Sequence, residues 1–260
     1  MTEAPVTIDA MTGQLRALGV GAGGVLLVHT SFRAVRPVEG GPGGLIAALQ
    51  AAVGPEGTLV MPSWTDRDDA PFDPAADRAN TDLGVVADIF WRLPGVLRSD
   101  HPFAFAARGP KAAALLADPL PLPPHIPASP VGRVHDLDGQ VLLLGVGHDA
   151  DTTIHLAELI ASVPYGVEHH VTVASAGGPA RIAYRENDHC CRRFALVGDW
   201  LDARGLQRRG KVGHADALLA RSRAVVAVAT EALARDPLVF LHAPEDGCAE
   251  CDAARASIAA

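Results

Sequence analysis

No apolar run in this 260-residue chain approaches the roughly 20 residues needed to span a bilayer. Its start, MTEAPVTIDAMTGQLRALGV, lacks the basic opening and long apolar stretch of a secretory leader. A cytoplasmic protein with no membrane partner is therefore expected. Positive charge is scarce too: 22 Lys and Arg face 30 Asp and Glu, a formal net charge of −8. No basic stripe is present that could follow a phosphate backbone, so nucleic acid is excluded as an expected partner. The glycines match neither nucleotide-binding fingerprint, and no HExxH spacing accompanies the 11 histidines. There is no internal repeat and no interdomain linker, and residues 1–260 read as one domain, acting as a monomer or homodimer. Cysteine is sparse: the four fall into two local pairs, Cys190–Cys191 and Cys248–Ala249–Glu250–Cys251. In a reducing compartment such pairs suggest a metal or free thiols more than disulfides.

What is present is apolar and alternates between two periods. The composition is 48% hydrophobic, enough for a sizeable core. Residues 8–19 form an amphipathic helix (Leu15, Leu18). Val25–Val28 is a compact apolar run that reads as a buried parallel strand. It empties into His29-Thr30-Ser31-Phe32-Arg33, where small hydroxyls, exposed amides and nearby Arg33 and Arg36 could hold a phosphate, or simply make an ordinary turn. A helix over 45–53, a strand over 58–61 and an irregular loop over 65–82 follow. That loop carries Asp66, Asp68, Asp69 and Asp73, either a carboxylate patch over a cationic substrate or a solvated acidic loop. Asp82 can cap a helix over 83–93. Arg98-Ser99-Asp100-His101-Pro102 leads to a short strand, 103–107, and a helix, 111–116. PLPLPPHIPASP (119–130) cannot be regular structure, because proline lacks the ladder donor and fixes φ.

The organising stretch is VLLLGVGHDADTTIHLAELIASV (141–163): a buried strand, a glycine turn at Gly145 and Gly147, then a helix that Asp151 or Thr152 can cap. His155 and Glu158 are three apart and share a face, just beyond a strand's carboxyl end, where open α/β sheets bind ligands. A satisfied core histidine is the alternative. Residues 170–173 and 181–184 read as a hairpin around Ala176-Gly177-Gly178. ENDHCC (186–191) opens a helix with Phe194, Val197 and Leu201 on its apolar face. Helical segments over 214–222 and 224–234 and a strand over 238–241 complete the chain. The expected fold is α/β: a mixed, largely parallel sheet with helices on both faces, plus a small β-hairpin/helical C-terminal part.

VLLVHTSFRAVRP, GTLVMPSWT, RSDHPFAFAARG, ASPVGRVHDLDGQVLLLGVGHDADTTIHLAE, ENDHCC and GCAECDAAR together resemble the aminoglycoside 3-N-acetyltransferase family, and within it the type IV branch associated with gentamicin, tobramycin and apramycin resistance. The resemblance runs from about residue 10 to the C-terminus. It implies acetyl transfer from acetyl-CoA to the 3-amino group of the 2-deoxystreptamine ring. It implies that Thr30, Ser31, Phe32, Arg33, Arg98 and Ser99 lie along CoA. His155 is then the catalytic histidine, and Asp188, Glu158 and Glu186 its acidic partners. We assign Asp66, Glu186 and Asp188 to the grip on substrate ammonium groups.

The chemistry is demanding. A protonated amine cannot attack a thioester, so the site must bind a cation and take its proton as attack begins. Imidazole suits that step, its ordinary pKa of about 6.5 lying near working pH. Asp188 or Glu158 would fix its tautomer. Cys190, Cys191, Cys248 and Cys251 could hold a structural zinc ion, with His189 replacing one of them, or remain four reduced thiols. Two rivals from other classes are a zinc hydrolase, which lacks a ligand motif here, and a non-catalytic protein that sequesters aminoglycosides, which would need neither His155 nor a CoA site.

Overall fold

The structure is a computed structural model that describes residues 4–65, 67–117 and 120–258. The first unit is helix α1 (Ile8–Leu18), strand β1 (Val25–Thr30), the single turn α2 (Phe32–Val35), helix α3 (Gly41–Val53) and strand β2 (Thr58–Pro62). After the 65–82 loop come α4 (Gly84–Phe90), β3 (Leu97–Arg98), β4 (Phe105–Arg108) and α5 (Ala112–Leu116). Asn80, not Asp82, caps this entry: its Oδ1 accepts from the Asp82 amide at 2.8 Å.

The proline segment then leads into α6 (Pro130–Asp136), β5 (Gln140–Leu144) and α7 (Thr153–Ala161). A hairpin of β6 (Val167–Ser175) and β7 (Gly178–Glu186) stands as a separate two-stranded sheet. The chain continues through α8 (Ala195–Ala203), β8 (Gln207–Val212), β9 (Ala215–Arg221), α9 (Ser222–Arg235) and α10 (Ala249–Ala256).

Among the described residues the main sheet has seven strands in the order β3-β4-β2-β1-β5-β9-β8. Its centre, β2-β1-β5, is parallel, and antiparallel strands extend it to both edges. The period of two in β1 divides two cores: Leu26 and Val28 pack with α1, α3 and α4, while Val25 and Leu27 face α5 to α9. No helix among the described residues is long and apolar enough to cross a membrane.

Three expected elements change. Residues 214–222 are not a helix: 215–221 is β9, paired antiparallel with β5 and β8. Ala, Leu and Leu favour a helix intrinsically, but pairing with a buried strand overrides a preference worth tenths of a kcal/mol per residue. Gly213 makes the reversal, at φ +61°, and Val35 lies so close that a Cβ there would meet its carbonyl oxygen at 2.8 Å. Residues 238–241 are turn rather than strand; Asp236 Oδ1 accepts from the Leu238 amide at 2.9 Å and folds the run back, burying Phe240 and Leu241. The helix expected to open at ENDHCC begins later, with a 3₁₀ turn at Arg192–Phe194 leading into α8.

The connection from β1 runs to β2 on one side, and β5 adds on the other. The crevice beyond the carboxyl ends of β1 and β5 is thus a topological switch point. Gly145, at φ +70°, turns the chain there; a Cβ would sit 2.6 Å from that of Ala34, so the HTSF segment packs directly on the turn.

Candidate active site

A buried carboxylate is the anchor of the site. Glu158, in α7, has no exposed side-chain surface. Its Oε2 accepts from His155 Nδ1 at 2.8 Å. Its Oε1 accepts from Tyr165 Oη at 2.5 Å and from His189 Nε2 at 2.8 Å. Burial pushes the Glu158 carboxyl up, but the hydrogen bonds from His155 and His189 outweigh it and hold the group below the ordinary carboxylate range. His189 Nδ1 accepts from the Cys191 amide at 3.1 Å, which fixes His189 as the Nε2–H tautomer. By the same logic neutral His155 carries its proton on Nδ1 and presents the Nε2 lone pair. The His155 side chain keeps 19% of its surface exposed.

His155 Nε2 lies 3.5 Å from Cys191 Sγ, and Cys191 is held in the left-handed region at φ +58°. Burial disfavours the imidazolium, yet the facing sulfur and Glu158 together raise the His155 pKa well above the ordinary histidine value. The ring stacks on His125 at 5.1 Å between centroids and meets the edge of Phe194 at 5.0 Å. His125, from the proline segment, is buried and kept neutral by burial and the neighbouring histidines; its Nε2 has no hydrogen-bond partner.

A second histidine lies under the floor. His148 Nδ1 contacts Asp151 Oδ2 at 3.1 Å and its Nε2 contacts Gln207 Oε1 at 2.7 Å. Both neighbours are acceptors, so the ring carries both protons; burial opposes this, but Asp151 raises its pKa. Asp151 Oδ1 also accepts from the Thr153 amide at 3.0 Å, making Asp151 rather than Thr152 the cap of α7. Thr152 instead reaches His29 Nε2 at 3.3 Å.

Beyond β1, β2 and β5 lies a cavity of about 340 Å³, lined in part by His29, Thr30, Trp64, Asp82 and Val146. Thr30 Oγ1 is buried there without a partner, Ser31 and Phe32 are half-buried, and Arg33 is exposed. Arg98 and Ser99 are engaged by the protein's own backbone. The Arg98 guanidinium donates to the carbonyls of Asp77 at 2.5 Å, Pro74 at 3.3 Å and Ser63, and is sandwiched by Trp91 and Phe72 at 4.2 and 4.8 Å. Burial brings its pKa down to about 10. It pins the 65–82 loop. Ser99 is buried and accepts from the Phe105 amide at 3.0 Å.

Asp188 is corrected as the partner of His155. It is exposed and pairs with His169 at 3.2 Å, because the chain turns away after β7, and Glu158 alone holds the ring. Glu186 is nearer: it lies 3.7 Å from His125 Nδ1, accepts from Tyr184 Oη at 3.3 Å, and burial raises its pKa. Asp66 lies outside the described residues. Its neighbour Asp68 is close enough, with Glu186 and Asp188, to raise the Tyr184 pKa, after burial. Thr172 of β6 donates to the Asp68 carbonyl at 2.6 Å, so hairpin and acidic loop meet over the site.

The four-cysteine set is corrected as well. Cys190, Cys248 and Cys251 gather with His242, their ligand atoms within 4.8 Å of one another. Cys191 and His189 face the other way, toward His155 and Glu158. A loop residue swings its neighbours to opposite sides, which spacing alone does not reveal. Tyr165 and His242 were not assigned by sequence reasoning, and His189 was considered only as a metal ligand; Tyr165 sits in Pro164-Tyr165-Gly166, where only a helix stop was legible.

An imidazole hydrogen-bonded to a buried carboxylate is an arrangement able to take up a proton from an incoming nucleophile. A model of the aminoglycoside 3-N-acetyltransferase family matches residues 27–234. The chain is 66% identical over 237 residues to an aminoglycoside N(3)-acetyltransferase IV of Salmonella sp, covering 91% of each. It matches the crystal structure of aminoglycoside acetyltransferase AAC(3)-IVa, a histidine-to-alanine mutant in complex with a gentamicin, at 64% identity and a TM-score of 0.98, over 99% of this chain and 100% of that one. It also matches the AAC-IIIb binary with CoASH at 30% identity and a TM-score of 0.81, over 89% and 97%. The chain belongs to the aminoglycoside 3-N-acetyltransferase family and is an acyltransferase.

Proposed function

We propose that this enzyme acetylates the 3-amino group of 2-deoxystreptamine antibiotics of the gentamicin, tobramycin and apramycin class, using acetyl-CoA, with His155 as the general base. The observation that carries the reading is the 2.8 Å bond from His155 Nδ1 to fully buried Glu158. It leaves Nε2 as the acceptor. The bound ammonium gives one proton up to solvent, and the Nε2 lone pair takes a second as the amine nitrogen attacks the acetyl carbonyl. Glu158 stabilises the imidazolium that forms. As the tetrahedral intermediate collapses, the carbon–sulfur bond breaks and the proton passes from His155 to the CoA sulfur.

Thr30, Ser31, Phe32 and Arg33 are the proposed CoA contacts. The support is an unpartnered buried hydroxyl on Thr30, lining the switch-point cavity, followed by exposed Arg33. Asp68, Glu186 and Asp188 are the proposed ammonium ligands, contributed where loop and hairpin meet. Cys191 supports a second reading. Its sulfur, 3.5 Å from His155 Nε2, could take the acetyl group first, with CoA leaving as the thiol after protonation by His155.

Release of free thiol from acetyl-CoA, with and without gentamicin, tests both. Direct transfer gives thiol only when drug is present. A burst equal to the enzyme concentration without drug establishes the acetyl-cysteine route instead. Tight drug binding with no thiol at all makes the protein a sequestering one. His155→Ala should fold and lose about 10²–10⁴-fold in turnover; near-normal turnover would remove the proposed base.

A further inference from the structure

The C-terminal part is held by very little hydrocarbon. Its core consists of Tyr165, Leu241, Cys251 and Ala254, with Val163, Cys190, Leu238 and Cys248 packed around it. A core this small does not ordinarily fix a helix of eight residues, and natural solutions add a staple. Three thiols and an imidazole sit where a staple would be. Cys190 Sγ lies 3.2 Å from His242 Nδ1 and 3.7 Å from Cys251 Sγ, and Cys251 Sγ lies 3.6 Å from His242 Nδ1.

Those separations have a direct meaning. Four ligands around a tetrahedral zinc ion, at about 2.3 Å for sulfur and about 2.0 Å for nitrogen, lie about 3.3–3.8 Å from one another. A disulfide would require two sulfurs about 2.05 Å apart, and the cysteines are free. Cys248 stands at the N-cap of α10 and Cys251 in its first turn, so the CxxC is formed by the helix start itself.

We infer that Cys190, His242, Cys248 and Cys251 form a structural Cys₃His zinc site that fastens α10 to the loop after β7. The ion sits outside the reaction, yet that loop also carries His189 and Cys191, and the same small core buries Tyr165. Two of the three donors to Glu158 are therefore placed by elements the site ties together. Zinc acts on catalysis only by holding them.

Elemental analysis of enzyme purified without chelator should give one zinc per chain, and cobalt-substituted enzyme should show tetrahedral thiolate absorption. Cys248→Ser and His242→Ala should each lose the metal and melt at lower temperature. Cys191→Ser should keep the metal in full, because its sulfur belongs to the other cluster. Folded, reduced enzyme with four titratable thiols and no stoichiometric metal would overturn the inference. So would a disulfide within the cluster by intact mass, or zinc lost from Cys191→Ser but kept by His242→Ala. All these readouts are independent of acetyl transfer, so they stand or fall separately from the assignment of His155.

Discussion

His155 works between two demands that pull its pKa apart. Burial alone would favour the neutral ring that a base requires. The facing Cys191 and the hydrogen-bonded Glu158 outweigh burial and raise the pKa well above the ordinary value. A raised histidine pKa stabilises the folded protein below the unfolded value of about 6.5, and that contribution is lost as pH rises through the folded pKa. Activity follows the opposite sense, since only the neutral form accepts a proton. We expect kcat/KM to fall as pH drops through an inflection lying above about 6.5. In Glu158→Gln that inflection should move down, with kcat reduced by at least about tenfold because the imidazolium loses its counter-charge. A pH–rate profile of both enzymes, each checked for folding by circular dichroism, measures this. An inflection that stays fixed in the glutamine variant belongs to the drug's own amine, and the tuning assigned to Glu158 is then wrong.

At the scale of elements, the parts of the fold legible in advance were those whose apolar pattern is self-sufficient. β1, β2 and β5 are buried on both faces and announce themselves as continuous apolar runs. The hairpin was legible from alternation around Gly177-Gly178. β8, QRRGKV, was not: an edge strand protected by charge carries the composition of a loop. β9 inherits its conformation from β5 and β8 rather than from its own alanines and leucines. The site divides in the same way. His155 and Glu158 share a helix, so their spacing reveals them. Tyr165, His189, Cys191 and His242 reach their partners from separate turns, and no local pattern encodes that.

The hairpin matters because it brings Glu186 beside Tyr184 and toward His125, with Asp68 drawn in by Thr172. Burial raises the Glu186 pKa, so its charge is lost at a higher pH than an exposed carboxylate would lose it. Glu186→Gln should raise the KM for gentamicin about tenfold, the value of one charge-assisted hydrogen bond. The KM for acetyl-CoA should stay within about twofold, because Glu186 is proposed as an ammonium ligand and its contacts are to Tyr184 and His125 rather than to the 30–33 segment. Steady-state kinetics with each substrate varied checks this, and equal rises in both constants would show that the hairpin positions the whole site instead.

Over the whole molecule the charge balance is −8, while the two substrates carry opposite charge: a polycationic sugar and an anionic nucleotide thioester. An acidic field concentrates the first and opposes the second, and added salt weakens both effects as the Debye length shrinks from about 30 Å at 0.01 M to about 8 Å at 0.15 M. The local contacts differ in the same sense, with Asp68, Glu186 and Asp188 at the roof and exposed Arg33 at the end of β1. Hence kcat/KM for gentamicin should fall about tenfold or more between those two salt concentrations. The value for acetyl-CoA should change by less than about threefold, since the repulsive field and the contact proposed for Arg33 are screened together. Initial rates across a salt series, each substrate limiting in turn, read the two slopes directly. Parallel slopes would mean that the net charge serves solubility alone and that recognition of the sugar is confined to contacts inside the site.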